Sequence, residues 1–193
     1  MNPKPKKGLD HELAKGITVA DYLRLKLQMD RQGIAELIRL RFRDRYLDPI
    51  ASMKRKSGFC MVAIGCLMIE ALECFHQGWP TSDRKSRSAF CQFIAREQGF
   101  SFLKTRADEF YSHVRCGILH QAETTGGWRI RRDKGGPLFD EPTKTLNANE
   151  FIKGLSASLA DYCRRLETAA WTDPLWNNAT AKLDAICAQC LAQ

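Results

Sequence analysis

The spacing of apolar residues predicts a chain built mainly of helices. In several segments apolar side chains recur every three or four residues, which places them on one face of a helix. The first helix begins at Thr18, has Asp21 as an acidic capping partner, and is interrupted at Gly33. A second helix covers 34–47, carries several arginines and ends before Pro49.

The segment 57–77 is the most apolar part of the chain. It contains FCMVAIGCLMIEALECF and is long enough for about five or six helical turns. We therefore expect it to be the central buried helix. Glu70 and Glu73 lie inside it, and a carboxylate in such surroundings must meet a cation or a hydrogen-bond donor, or else stay neutral.

The pattern changes after two further predicted helices. The first begins at Ser86 or Ser88 and stops near Gly99, and the second, which we call the motif helix, covers 104–121. Apolar and basic residues then alternate over 128–131 before the turn residues DKGGP, which predicts a β-hairpin. Asn149 is expected to cap a helix over 150–167, and Asn178 a last helix that reaches Cys190.

Together these elements predict an all-α fold, a helical bundle of six or seven helices with a small β-hairpin inserted after the motif helix. Residues 1–16 contain Pro3, Pro5 and a lysine pair, and we expect them to form a flexible N-terminal segment. Residues 17–193 are expected to form a single helical domain.

Composition and charge narrow the function classes. With 44% apolar residues the chain of 193 can build a core, which excludes whole-chain disorder. Residues 1–56 hold 14 basic and 7 acidic side chains, so they carry most of the net charge of +8. This excess fits either a surface for polyanions or an ordinary solvated helix face.

The sequence predicts neither a membrane span nor a bound metal. The longest uncharged stretch, 57–69, is shorter than the roughly 18 residues that a span requires, and no secretory signal is visible at the N-terminus, so we expect a cytoplasmic protein. The eight cysteines are expected to be free and mostly buried. Cys187 and Cys190 lack a second pair at zinc spacing, and glycine-rich phosphate loops are missing, so we expect no metal and no cofactor.

The window FYSHVRCGILHQ carries the most specific signal. Arg115 is followed after four residues by His120, late in the motif helix. This arrangement resembles the HEPN superfamily (higher eukaryotes and prokaryotes nucleotide-binding domains), whose signature is an Arg followed after four to six residues by a His. VRCGILHQAE looks like the form found in small prokaryotic members. The resemblance implies a helical domain that dimerises through its motif helices, and in many members a metal-independent endoribonuclease.

The residues themselves suit that chemistry. A neutral His can take the proton of the RNA 2′-hydroxyl while an Arg binds the phosphate oxygens, and no metal is needed. Because the leaving 5′-oxygen needs an acid, a two-fold homodimer with a composite active site would supply the second histidine. We expect cytoplasmic RNA as substrate, in a toxin or anti-phage defence role that the resemblance implies, with a neutralising antitoxin as a further partner.

Other residues are expected to support Arg115 and His120. Glu70 and Glu73 are candidates for orienting Arg115, with a solvent-facing carboxylate as the alternative for each. His113 is a candidate substrate contact or an ordinary half-exposed histidine. Arg115 and His120 lie about 140° apart on an ideal helix, so either a distortion at Gly117 or the copies of a second subunit would have to bring these groups together. The candidate RNA-binding residues follow the motif helix: Trp128, Arg129, Arg131, Arg132 and Lys134.

Two alternatives stay open at this stage. Cys116 stands where many family members carry a polar residue after the Arg, so the chain could be a HEPN-like module that binds RNA or protein without cutting. Alternatively, 18–47 could be a helix-turn-helix reader of DNA, although the connection after Met29 is not expected to be a compact three-residue turn.

For Trp128, the alternative to base stacking is an anchor in the core.

Overall fold

Helices dominate the computed structural model, which describes residues 8–52, 57–133 and 135–192. Within these residues the helices are α1 (Val19–Leu27), α2 (Arg31–Phe42), α3 (Asp48–Ala51), α4 (Gly58–Gln77), α5 (Ser86–Arg96), α6 (Ala107–Glu109), α7 (Cys116–Gln121), α8 (Ala148–Thr168) and α9 (Pro174–Leu191). The strands are β1 (Glu12–Ala14), β2 (Ile17–Thr18), β3 (Arg129–Arg131), β4 (Phe139–Asp140) and β5 (Thr145–Asn147). The predicted all-α class with a small β element after the motif helix is confirmed.

The chain divides into two compact units where the sequence predicted one domain. Described residues up to 45, with 74–80 and those from 159 onward, form the first unit. Residues 46–73 and 81–158 form the second. Helices α4 and α8 each contribute residues to both units, so the apolar pattern of these continuous helices contains no boundary signal.

The first unit is built around large aromatic side chains with little or no exposure. They are Tyr22, Phe42, Phe75, Tyr162 and Trp176. The buried hydroxyl groups are satisfied, since Tyr22 donates to Asp184 Oδ1 at 2.8 Å and Tyr162 donates to the Phe75 carbonyl at 3.3 Å.

Part of the segment expected to be flexible is folded. Strand β1 pairs antiparallel with β2, and Leu13 is fully buried. Residues 1–7 lie outside the described residues. The pattern missed this hairpin because two buried residues among polar ones show no periodicity.

Arginines of the basic N-terminal third hold this hairpin in place. Arg41 and Arg45 both donate to the Leu13 carbonyl, at 2.6 and 3.2 Å, and Arg39 binds Glu167 at 2.5 Å. Bonds of this kind satisfy buried backbone and leave fewer cations free for a polyanion.

The α1–α2 pair differs from its prediction in two respects. Only 28–30 separate the helices, so the connection is a three-residue turn, with Met29 in the left-handed region at φ 53°. Gly33 lies in the first turn of α2, where a Cβ would come within 2.6 Å of the Leu25 side chain. The compact turn favours the helix-turn-helix hypothesis. Arg39 and Arg41 of its second helix, however, form hydrogen bonds within the protein.

The second unit has a phenylalanine-rich core. Its fully buried rings are Phe90, Phe93, Phe100, Phe110 and Phe151. Helices α4 and α8 approach closely there, because a Cβ on Gly65 would lie 2.5 Å from the Phe151 ring. The predicted central helix 57–77 is confirmed as α4.

The motif helix consists of four consecutive helical pieces, where the sequence predicted one. A 3-10 stretch (Gln98–Arg106) leads into α6, a π-helix (Phe110–Arg115) follows, and α7 completes the segment. A π-turn inserts an extra residue per turn, which an apolar spacing of three and four does not reveal, and such turns are frequent at functional sites.

The predicted hairpin also has different partners. Strand β5 lies at the centre, parallel to β3 and antiparallel to β4, so β3 and β4 are not paired across DKGGP. The tight antiparallel connection joins β4 to β5 instead.

Three helix boundaries were predicted at the wrong residues. Asn147, rather than Asn149, provides the cap at the start of α8, with its Oδ1 accepting from the Asn149 amide at 3.1 Å. Asp173 caps α9, and Asn178 lies within that helix and donates to the His76 carbonyl at 2.7 Å. Pro49 lies in the first turn of α3. For α8 and α9 several residues that can cap a helix lie near the boundary, and only the path of the backbone decides which of them is the cap.

One helix in the described residues, α4, is long and apolar enough to cross a membrane by length and composition alone. In that stretch 61% of the residues are buried inside the protein. Because the core helix of a folded domain passes the same test, this is weak evidence for a span.

Candidate functional site

Arg115 is held in place by Glu70, one of the two carboxylates predicted to orient it. Glu70 Oε1 accepts from Arg115 Nε at 3.0 Å and from Nη2 at 2.8 Å. Its other oxygen accepts from the Ser82 hydroxyl at 2.9 Å. The side chains of Glu70 and Arg115 are only 9% and 16% exposed, so the alternative of a solvent-facing carboxylate is wrong for Glu70.

The pair fixes both the charge and the orientation of the guanidinium. Burial disfavours the charged form of Arg115, but the Glu70 carboxylate outweighs burial and the pKa of the guanidinium is raised. The two bonds use Nε and Nη2 and leave Nη1 out of the ion pair with Glu70. Arg115 is therefore a fixed cation with donor capacity beyond this pair.

Glu73 was predicted to orient Arg115, but it pairs with a different arginine, Arg96. It is fully buried and forms a two-pronged pair with Arg96, at 3.0 Å to Nη1 and 2.6 Å to Nη2. Arg96 Nε also binds Glu97 at 3.0 Å. Glu73 lies three residues after Glu70 on α4, and this offset directs it towards Arg96 of α5 instead of Arg115.

His120 lies near the end of α7 with its side chain exposed. Among the described residues its ring has no hydrogen-bond or ion-pair partner, so either nitrogen is available to a ligand. Residues 116–121 are α-helical, so Gly117 does not interrupt the helix. Five residues of regular α-helix correspond to a rotation of about 140°, which does not place Arg115 and His120 on one face. Gly117 instead allows the segment after α7 to pass close to the helix, because a Cβ at this position would lie 2.6 Å from the Glu123 carbonyl oxygen.

An apolar pocket of about 70 Å³ borders Arg115. Its lining residues are Ala63, Cys66, Leu67, Arg115, Ile118 and Leu119. Leu67 and Leu119 are 52% and 57% exposed, although they lie beside a buried ion pair. The surface around Arg115 is therefore apolar on the side formed by α4 and α7.

His113 and Trp128 both serve the packing of the loop after α7. His113 Nδ1 lies 2.9 Å from the Thr125 hydroxyl, and its carbonyl accepts from the Thr125 amide at 3.0 Å. Trp128 is 3% exposed and stacks on Phe139 at 5.1 Å. A ring so buried offers no face to a nucleobase, so the core-anchor alternative for Trp128 is correct and it leaves the RNA-binding set.

Two of the predicted basic residues are engaged internally. Arg131 donates to the Pro137 carbonyl at 3.2 Å, and Arg132 donates to the Ser57 hydroxyl at 2.7 Å. Arg129 is exposed, and its side chain has no partner among the described residues. Lys134 lies outside the described residues. Of the described members of this group, Arg129 is the one best placed to meet a polyanion.

Two residues next to Arg115 were not predicted from the sequence. Ser82 completes the bonding of Glu70, and Tyr111 lies under Arg115, whose guanidinium carbon is 5.5 Å from the ring centre. Burial, together with a hydrogen bond that the Tyr111 hydroxyl donates to Cys116, raises the pKa of that hydroxyl. Tyr111 is four residues before Arg115, so its helical spacing was a usable signal, whereas a serine in a loop carries none.

The cysteines are free thiols, and most of them lie in the core. All eight cysteines are free and five are buried, as predicted. Burial raises the pKa of the Cys66 thiol beside Arg115, which keeps it protonated and unreactive. In the parts of the chain that the structure describes, no three His, Cys, Asp or Glu side chains cluster in a way that could hold a metal ion.

Comparison of the chain with protein-family models, with curated proteins and with solved structures finds no match in any of the three.

Proposed function

We propose that this protein is a metal-independent endoribonuclease of the HEPN type, in which Arg115 binds the scissile phosphate and His120 transfers protons. The observation that carries the proposal is the contrast between two residues that lie five positions apart. Arg115 is fixed by Glu70 at 2.8 and 3.0 Å, while His120 is exposed and free to bind. A preorganised cation and an accessible imidazole are the two groups that cleavage through the 2′-hydroxyl requires.

The reaction needs two proton transfers. His120 of one copy takes the 2′-hydroxyl proton, the 2′-oxygen forms a bond to phosphorus, and the bond from phosphorus to the 5′-oxygen breaks. His120 of a second copy, in its protonated form, gives its proton to the leaving 5′-oxygen. The products are a 2′,3′-cyclic phosphate and a 5′-hydroxyl, and Arg115 stabilises the charge on the phosphate oxygens.

A dimer is part of the proposal because one copy does not complete the site. About 140° of helix rotation separates Arg115 from His120, so the Arg of one copy and the His of the other are better placed to share a phosphate. The exposed Leu67 and Leu119 beside Arg115 are apolar surface that a second copy would cover. The resemblance extends the proposal to a toxin or anti-phage role with a neutralising antitoxin.

A second candidate function rests on the same ion pair. Glu70 already neutralises Arg115, which favours a HEPN-like module that binds RNA or a protein partner without cutting. The two candidates differ in one outcome, since only the enzyme loses a chemical activity when His120 is replaced.

The test is RNA cleavage in excess EDTA. Wild type, Arg115→Ala and His120→Ala are incubated with a mixed RNA pool, and the new ends are mapped. We expect cyclic-phosphate ends from the wild type alone, and an all-deoxy oligonucleotide to stay intact. Gln121→Ala is the matched control, because it changes an exposed neighbour on the same helix and should cut like the wild type.

Intact RNA with all four proteins would contradict the nuclease. Equal RNA binding by all four would then support the non-catalytic module. Sedimentation of the wild type and of Leu119→Glu tests the dimer, which the charged side chain should disrupt together with cleavage.

A further inference from the structure

A second arginine lies beside Arg115. The guanidinium carbon of Arg87, on α5, is 5.7 Å from the centre of the Tyr111 ring, the same ring that Arg115 approaches to 5.5 Å. Both guanidinium groups therefore approach the same aromatic ring. Like-charged groups placed together in this way attract an anion that both can bind.

Arg87 is oriented by its contacts. Its Nη2 donates to the Ser112 hydroxyl at 3.0 Å, and its Nε lies 3.2 Å from Asp108 Oδ1. Ser112 and Tyr111 belong to the π-helix that ends at Arg115, so one irregular turn positions both guanidinium groups.

The two arginines differ in how readily they exchange partners. Arg115 and Glu70 are nearly buried, whereas Arg87 and Asp108 are 59% and 69% exposed. An exposed ion pair contributes little to stability, so a phosphate can displace Asp108 from Arg87 at small cost. Of the two arginines, Arg115 keeps its carboxylate partner, whereas Arg87 can exchange its carboxylate for a phosphate.

We propose that Arg87 forms a second phosphate subsite, which binds the RNA backbone phosphate next to the one held by Arg115. The proposal rests on the proposed function, since it takes the scissile phosphate to lie at Arg115. Consecutive phosphates of a single strand then meet consecutive guanidinium groups across the Tyr111 ring. Because Arg87 touches a phosphate that does not react, it acts in substrate binding and positioning and leaves the bond-breaking step to Arg115 and His120.

The test measures RNA affinity without cleavage. A single-stranded RNA that carries 2′-O-methyl groups is titrated into wild type, Arg87→Ala and Arg84→Ala at several salt concentrations. Arg84 is the matched control, because it is 93% exposed and lies three residues away. We expect Arg87→Ala to bind about three- to ten-fold more weakly, with the slope of log affinity against log salt reduced by about 0.7, and Arg84→Ala to match the wild type.

Turnover on unmodified RNA separates this inference from the proposed function. Arg87→Ala should raise KM with little change in kcat, and Arg87→Lys should restore most of the salt slope. If the wild type cuts RNA in a His120-dependent manner but Arg87→Ala binds like Arg84→Ala, the subsite is refuted and the nuclease stands. If the wild type neither binds nor cuts RNA, both proposals are refuted.

Discussion

Replacing Glu70 tests the link between the buried ion pair and the proposed site. Glu70→Ala leaves Arg115, whose side chain is 16% exposed, without its carboxylate. Breaking a buried pair by removing one partner costs about 3–5 kcal/mol, and we expect about 3 kcal/mol because the Arg115 side chain is partly exposed. Glu70→Gln keeps an acceptor oxygen for the guanidinium and should cost about 1–2 kcal/mol.

Urea unfolding followed by circular dichroism measures these differences. With a slope of about 2–3 kcal/mol per M, a loss of 3 kcal/mol lowers the midpoint by about 1–1.5 M. Adding Arg115→Ala to Glu70→Ala should cost little more, because the second change removes the charge that the first left unpaired. The coupling energy between the two residues is then about 2 kcal/mol.

Glu73→Ala is the matched control for function. Glu73 is also a buried carboxylate of α4, but it pairs with Arg96. We expect a similar loss of stability from Glu73→Ala, with RNA cleavage per folded molecule retained, whereas Glu70→Ala loses both. Additive effects of Glu70→Ala and Arg115→Ala to within about 0.5 kcal/mol would refute the reasoning, as would equal cleavage by Glu70→Ala and Glu73→Ala.

Three further predictions concern the fold. Hydrogen bonds from the Thr18 backbone amide and hydroxyl hold the pKa of Asp21 below its usual 3.8, so this carboxylate stabilises the protein above about pH 4 and the contribution is lost as the pH falls through the lowered pKa. Thermal melts of Asp21→Asn should therefore depend less on pH below about 4 than those of wild type, and parallel curves would contradict this. Trp128→Ala should cost about 3–5 kcal/mol in urea unfolding, and a loss under about 1 kcal/mol would mean that the ring is not a core anchor. Gly65→Ala should destabilise the protein by about 1–3 kcal/mol, because the new Cβ meets the Phe151 ring. Helix propensity alone predicts that the protein becomes more stable by about 1 kcal/mol, so a stabilised variant in urea unfolding would contradict the close packing.

The candidate site was predictable to the extent that single residues carry the information. A carboxylate in an apolar helix needs a partner wherever that helix packs, so Glu70 and Glu73 could be recognised as paired groups before any partner was known. Which cation each would meet was not predictable. The two residues lie three positions apart on α4, and the rotation of that helix directs one to Arg115 and the other to Arg96.

The contacts around Trp128 and in the small sheet show the same limit. Alternation over 128–131 predicted a β-element, but the pairing of β3 with β5 joins residues about 16 apart in sequence. The burial of Trp128 follows from that pairing and from the ring of Phe139. The sequence pattern around Trp128 identifies neither β5 nor Phe139 as its neighbour.

Arg115 and His120 became candidates through the resemblance of their spacing to a family motif. The sequence by itself determined the helical class, the long buried helix and the capping of α1 by Thr18. These properties depend on the transfer free energy and the backbone preference of each residue, which act locally and repeat with the helix period. Only the tertiary structure decided the partners of Glu70 and Glu73, the π-turn before Arg115, the burial of Trp128 and the neighbouring position of Arg87. These depend on distances between residues far apart in the chain, which are set when helices pack and which periodicity does not encode.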